Sequence, residues 1–426
     1  MHTAEPHPII KLENGLRVIA APMPDRRSVS TGIWVGVGAR HEEERLSGVS
    51  HFLEHIVFKG TKTRTANQIK ESIEGVGGSM NAFTSEEHTC FLAKVATRHF
   101  ENVFDVLADM VLDAAMKDTD VEKERTVILE EIKMTQDQPA QLADENLSEI
   151  MWPGHPLGRP IAGTLESVSG LSRADIEGYR DRYYGPGEIT VVAAGDVDLE
   201  KLARLAMKNF AGRGTAQRGV MTLFQNGQKK PRARHFQKAT EQTHLSLALH
   251  AYSREHRDEY AADMLNVILG GNMSSRLFNE VREERGLAYD VGSYLRRYHE
   301  TGALVVSAGV DNKKAKQALE VILKELTKLT REPVSADELR RAKDFYLGQF
   351  ELGLENSMNQ MLWLGEDSLT FGRCRTAQEV HAKTEQVTVE DIRRVAQELF
   401  LTPSLNLSVV GPAGDEREYT DLLHFD

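Results

Sequence analysis

The chain has 426 residues, a formal net charge of −12, 40% hydrophobic residues and 27% charged ones. That length exceeds what one hydrophobic core ordinarily serves and calls for at least two domains, while the acidic balance argues against nucleic acid as a main partner. Two cysteines, Cys90 and Cys374, exclude a disulfide framework, and no apolar run approaches the ~20 residues of a membrane span.

The first eight residues, Met-His-Thr-Ala-Glu-Pro-His-Pro, lack a basic start and an apolar core segment, so no secretory signal is expected. A cytoplasmic protein with its N-terminal histidines on a floppy end is the expectation, although a processed chain would read the same. The most informative segment follows at His51-Phe52-Leu53-Glu54-His55. On a helix, His51 and His55 point the same way and Glu54 sits beside them, which is the geometry of two zinc ligands with an adjacent general base. The order reverses the H-E-x-x-H metalloprotease motif. Five residues are few enough to match by chance, and two surface histidines, one paired with Glu54, is the plainer reading. Against it, Phe52, Leu53, Ile56, Val57 and Phe58 make the segment apolar nearly all round. A buried helix is therefore expected, and buried ionisable groups need partners, of which a metal is the simplest.

Residues 80–91, after the pair Gly77-Gly78, suit extended structure. Residues 118–134 begin with capping residues and read as a helix with an apolar stripe through Val121, Val127, Ile128 and Ile132. Glu124 and Glu131, two turns apart, fall within or beside that stripe, whereas Glu122, Lys123 and Glu130 point toward water. This helix is the best source of a third metal ligand; a solvated pair of carboxylates is the alternative. Residues 189–196 and 405–411 read as buried strands ending at glycine, each preceded by a helix, near 172–183 and 388–400. The repetition indicates an internal duplication into two α+β halves, residues 1–211 and 235–426, joined by a Gly-, Gln-, Lys- and Arg-rich linker over 212–234. In the second half, Ser274 or Ser275 can cap a helix that ends at Gly286, followed by an extended stretch from Leu287.

Taken together, the His51 to His55 motif, Glu131 eighty positions after His51, and Glu124 seven before Glu131 resemble the inverted-motif zinc peptidases of the pitrilysin and insulinase family, in particular the short two-domain type that includes mitochondrial processing peptidase and its bacterial homologues. The resemblance implies one Zn2+ per chain held by His51, His55 and Glu131, with Glu54 activating the water and Glu124 supporting the site from behind. The Asn81-Ala82-Phe83 stretch is similar to the family's sheet edge, to which substrate adds as an extra strand through main-chain atoms, with His88 left as a surface residue. Arg282 and Tyr289 match an Arg/Tyr pair that holds the substrate backbone and the developing oxyanion; Arg285 is the neighbour that complicates the assignment.

The fold implied is two structurally similar α/β-sandwich halves, sheets flanked by helices, of α+β class. The function implied is a zinc metalloendopeptidase acting on short unfolded peptides in a chamber formed by a dimer, the site being completed when halves face one another. Both the zinc motif and the Arg/Tyr pair are present, which favours a homodimer, with a heterodimer alongside a related subunit left open. Gly270-Gly271-Asn272 stands where the mitochondrial enzyme's non-zinc subunit has a long Gly-rich loop, so specificity for targeting presequences does not carry over. The alternatives are a non-catalytic peptide-binding or assembly subunit of the same fold, or one subunit of a heterodimeric processing peptidase.

Overall fold

A computed structural model of the chain describes residues 7–412 and 414–425. They form two compact units: residues up to Ile132, Arg159–Thr222 and Glu351–Thr376 in the first, and Lys133–Gly158, Leu223–Phe350 and Ala377 onward in the second. Of the N-terminal histidines expected on a floppy end, His2 lies outside the described residues, and His7 is half-buried with Nδ1 3.3 Å from the carbonyl oxygen of Ala20.

In the first unit, β1 (Ile10–Lys11), β2 (Arg17–Pro22), β3 (Ser28–Val35), β4 (Ser79–Thr84), β5 (Thr89–Ala96) and β6 (Ile189–Gly195) make one sheet in the order β1-β2-β6-β3-β5-β4, with β2 and β6 parallel and the other neighbours antiparallel. In the second unit, β7 (Arg232–Gln237), β8 (Gln242–Ala251), β9 (Ala288–Arg297), β10 (Gly302–Asp311) and β11 (Leu405–Gly411) run β7-β11-β8-β10-β9, with β7 and β11 parallel and the rest antiparallel. Strand for strand, β2-β6-β3-β5-β4 repeats as β7-β11-β8-β10-β9, the duplication read from sequence. The two Gly-ended segments singled out there are β6 and β11, which hold the same place in each sheet. Every residue of both strands is buried, including Thr190 in β6 and Asn406 and Ser408 in β11, as expected of a strand covered on both faces.

Six helices matter for the site and its support: α1 (Val49–Ile56), α2 (Asp118–Asp137), α3 (Pro139–Met151), α4 (Arg173–Tyr183), α5 (Ser357–Phe371) and α6 (Val389–Leu399). α4 and α6 precede β6 and β11 and start alike: the hydroxyls of Ser172 and Thr388 accept the backbone N–H of Asp175 and Asp391, whose carboxylates accept in return from the capping residues.

The units are not the contiguous halves 1–211 and 235–426. α3, from the first half of the sequence, buries Ala143, Leu147, Ile150 and Met151 in the second unit, against β8 and β11. α5, from the second half, packs on β3 and β6 in the first unit, where Met361 and Leu364 cover Trp34 and Cys90. Helical periodicity shows which residues of α3 and α5 seek a core; it does not show whose core. Residues 210–231 form no helix or strand, and β7 begins at Arg232, inside the expected linker. The single extended run expected over 80–91 is a hairpin, β4 and β5, turned at residues 85–88 where the Ser85 amide and hydroxyl both donate to the His88 carbonyl.

α1 enters the fold through a constrained start. Gly48, its N-cap, has φ +94, and a Cβ there would stand 2.6 Å from the Ala162 carbonyl oxygen. No residue of the helix caps its own N-terminus; instead the buried carboxylate of Glu42 accepts the Gly48 N–H at 2.7 Å and the Ser50 N–H at 2.8 Å. Gly48→Ala is expected to lower the unfolding free energy by about 1–3 kcal/mol, from backbone strain and the contact with Ala162. Denaturant titration of the two proteins checks this; equal midpoints would show that the start of α1 tolerates a side chain.

Candidate metal centre

α1 is short, and its apolar residues decide which way it faces. Phe52, Leu53 and Ile56 are fully buried in the first unit's core, as is Val57 just beyond, so His51, Glu54 and His55 are turned to the remaining, partly exposed side. The imidazole rings lie 4.6 Å apart, centre to centre. α2 brings its carboxylates to them. The buried stripe of α2 is Val121, Glu124, Ile128 and Ile132. Val127, expected in that stripe, is 43% exposed, because one residue before Ile128 the helix has turned by about 100°.

Glu131 Oε2 lies 3.3 Å from His55 Nε2 and 3.9 Å from His51 Nε2. One donor atom from each of His51, His55 and Glu131 falls within 4.8 Å of the others, the one such group of three His, Cys, Asp or Glu residues among the described residues. Behind it, Glu124 Oε2 is 3.4 Å from His55 Nδ1, and Glu124 Oε1 is 2.6 Å from Lys59 Nζ. In the neutral ring with its proton on Nδ1, Glu124 accepts that proton's hydrogen bond and Nε2 faces the side where Glu131 stands, the arrangement in which a carboxylate fixes the tautomer of a metal-binding histidine. Two imidazole nitrogens and one carboxylate oxygen are the donor set and number of a catalytic zinc site, with a position left for water, so these residues fit the ion.

The electrostatics sort the groups by role. Burial, with the His55 ring beside it, pushes His51 down to about 4, so its ring is neutral and able to ligate at neutral pH. Burial also opposes charge on His55, but the carboxylates of Glu124, Glu131 and Glu54 outweigh it and raise this ring above the usual histidine range. Burial works against ionised Glu124 too, yet His55 and Lys59 hold it below the usual carboxylate range. Glu54 is raised by burial, only partly offset by Thr84 at the end of β4 and by the His55 ring. His51 Nδ1 is buried and has no hydrogen-bond partner among the described residues.

β4, with Asn81, Ala82 and Phe83, is one edge of the sheet and among the described residues pairs only with β5. Asn81 is exposed and its Oδ1 accepts the Ala82 N–H at 2.9 Å. His88 is not a surface residue: it is buried, with its ring 5.1 Å from Trp34 and 6.0 Å from Phe83, and it does not belong to the metal-donor group.

Arg282 and Tyr289 belong to the second unit. The helix expected from Ser274 or Ser275 to Gly286 contains a π turn, Phe278–Glu283. Neither serine hydroxyl caps it: Ser274 donates to Asn272 Oδ1, and Ser275 Oγ is buried without a partner among the described residues. Gly286, at φ +53, ends it as expected, and the next N–H, of Leu287, reaches back to the Val281 carbonyl. The Arg282 guanidinium lies 4.7 Å over the Phe278 ring and 5.0 Å over the Tyr289 ring. Arg285, the competing neighbour, is committed to the backbone and carboxylate of Glu280. Arg282 and Tyr289 line a cavity of about 550 Å³ with Asp144, His244 and Ser246.

Sequence reasoning missed Glu42, Lys59, Thr84 and Phe278. Lys59 and Thr84 sit inside segments already singled out, but their partners are distant in sequence. Phe278 stands four residues before Arg282, a helical spacing that was available as a signal.

The fold and donor set are those of a two-unit α+β protein of zinc-peptidase type. Residues 17–165 match the family model Insulinase (Peptidase family M16) and residues 170–346 match Peptidase M16 inactive domain. An uncharacterized zinc protease of Bacillus subtilis is 36% identical, over 95% of this chain and 98% of that protein, and one of Mycobacterium tuberculosis is 38% identical over 95% and 93%. The crystal structure of a protease from Helicobacter pylori superposes with a TM-score of 0.89 at 23% identity, covering 96% of this chain and 100% of that one; a chain of complex III2 from Candida albicans does so at 0.84 and 18%, covering 98% and 99%. The chain belongs to the M16 insulinase family. Its relatives are named zinc proteases, and the metal-donor residues fall in the region matching the insulinase model rather than in the one named inactive. No helix among the described residues is long and apolar enough to cross a membrane.

Glu124→Ala is expected to weaken Zn2+ binding by about 10- to 100-fold while leaving the ligand set in place. Competition of the purified variant against a chromophoric chelator measures this; an affinity equal to wild type would remove Glu124 from the support of the site.

Proposed function

We propose that this chain is a zinc metalloendopeptidase that hydrolyses peptide bonds in short unfolded peptides. The observation that carries the reading is the convergence of His51, His55 and Glu131 donor atoms within 4.8 Å, with Glu54 on the same helix as both histidines. His51, His55 and Glu131 hold one Zn2+, which when bound polarises the scissile carbonyl and acidifies a water. Glu54 takes the proton from the attacking water on a carboxylate oxygen as the water oxygen bonds to the carbonyl carbon. It then delivers that proton to the amine nitrogen as the C–N bond breaks. Lys59 and His55 hold Glu124 ionised, so the ring of His55 stays oriented throughout.

Main-chain atoms of Asn81, Ala82 and Phe83 receive the peptide as an added strand at the free edge of β4, which imposes little sequence preference. Arg282 and Tyr289 supply N–H and O–H donors for the peptide backbone and the developing oxyanion. A homodimer enclosing the peptide in a chamber is part of the same proposal, and such a chamber would exclude folded proteins. Support for it comes from the presence of both the metal donors and the Arg/Tyr pair in one chain.

Wild type and Glu54→Gln, incubated with an unstructured peptide and assayed for bound zinc, test the reading. Wild type is expected to cleave and to stop on chelation; Glu54→Gln is expected to keep zinc but lose about 100-fold or more in turnover. Wild-type protein that carries zinc and leaves the peptide intact would turn the reading toward a peptide-binding or assembly subunit, or toward one member of a heterodimer. Wild type without any metal would defeat it.

A further inference from the structure

Three features of the segment around Phe278 bear on how Arg282 is held. The turn Phe278–Glu283 is a π turn, closed by the Glu284 N–H donating to the Asn279 carbonyl at 2.8 Å, five residues back. Such turns are rare and cost regular helical bonding, so they persist where something compensates. The guanidinium of Arg282 is packed against two rings, Phe278 at 4.7 Å and Tyr289 at 5.0 Å. Finally, the terminal nitrogens of Arg282 make no hydrogen bond among the described residues, its single ion pair being from Nε to Glu283 Oε1 at 3.6 Å, whereas Arg276, Arg285, Arg296 and Arg297 in the same unit are all hydrogen-bonded to carboxylates.

An arginine on a flexible stem is oriented either by hydrogen bonds to its N–H groups or by packing on its flat faces. Here the rings occupy faces and leave the N–H edge open, which is the edge that donates to a carbonyl or an oxyanion. Phe278 stands four residues before Arg282, a spacing at which helical side chains meet, and its ring centre lies 4.7 Å from the guanidinium carbon. Leu277 and Val281, both fully buried, anchor the turn independently of Phe278, which is itself half-buried. We propose that Phe278 is a positioning residue: it holds the guanidinium plane of Arg282 so that its N–H edge meets the peptide backbone. This rests on the reading of Arg282 and Tyr289 as the substrate-binding pair.

The test uses the full-length zinc-loaded protein and an unstructured peptide. Phe278→Leu is expected to lower kcat about tenfold with little change in KM or in thermal midpoint, the size of one cation–ring interaction, and Phe278→Tyr is expected to restore it. In an Arg282→Ala background, Phe278→Leu is expected to have no further effect, because residues acting as one unit are not additive. If Phe278→Leu lowers kcat equally in both backgrounds, Phe278 does not act through Arg282 and the inference falls. If Arg282→Ala lowers turnover and Phe278→Leu does not, the inference falls alone. If Arg282→Ala leaves turnover unchanged, the reading of the Arg/Tyr pair fails and takes this inference with it.

Discussion

Helix α1 has eight residues, fewer than the ~12–15 below which an isolated helix is marginal in water, and it carries His51, Glu54 and His55. Their placement is therefore decided by what grips the helix from outside. At its start Glu42 takes the two orphan amides of Gly48 and Ser50, with the added attraction between a carboxylate and the positive end of a helix. At its end Glu124 ties the His55 ring to Lys59, just past the last turn. Along its length Phe52, Leu53 and Ile56 fix its rotation. Two glutamates that never meet substrate in the proposed mechanism thus determine where the reacting groups stand.

In the proposed mechanism one residue type serves four purposes within this small volume because the surroundings differ. Glu42 is buried against amides, Glu124 is buried against cations, Glu54 is partly buried with little to stabilise its charge, and Glu131 is more exposed and faces the imidazole nitrogens. Desolvation favours the protonated acid and a neighbouring cation favours the carboxylate, so the same side chain becomes a cap, an orienter, a proton carrier or a metal donor. Separating carboxylates by environment rather than by identity is the general way a fold assigns acid and base roles.

The grouping of the candidate metal donors was readable because their spacing is local. Two histidines and a glutamate inside five positions, and two glutamates seven apart on one helix, are spacings that a helix converts directly into a shared face. The strand pattern was readable for a similar reason, since β6 and β11 are short, β-branched-rich segments that each end at glycine. What sequence did not disclose depends on contacts that spacing along one element does not fix. Lys59 meets Glu124, Glu42 meets a backbone rather than a side chain, and His88 disappears beneath Trp34 although its neighbours Glu86 and Glu87 suggest a wet turn. Val127 was misplaced because a stripe drawn through adjacent residues, 127 and 128, is wider than the one the helix buries. The exchange of α3 and α5 was hidden for the same reason: an amphipathic helix declares that it needs a sheet without saying which.

That exchange has a consequence for how the protein is made. Every proposed metal ligand lies within the first 131 residues, and β6, which completes the first sheet, ends at Gly195. The opposite face of that sheet, with Trp34, Cys90, Ile19 and Val192, is covered by Met361 and Leu364. During synthesis this apolar face stays bare until residue 371 has left the ribosome, long after the sheet beneath it can form. Nascent chains expose such surfaces to aggregation or to chaperones, so the unit that carries the candidate metal donors cannot be finished until α5 has emerged.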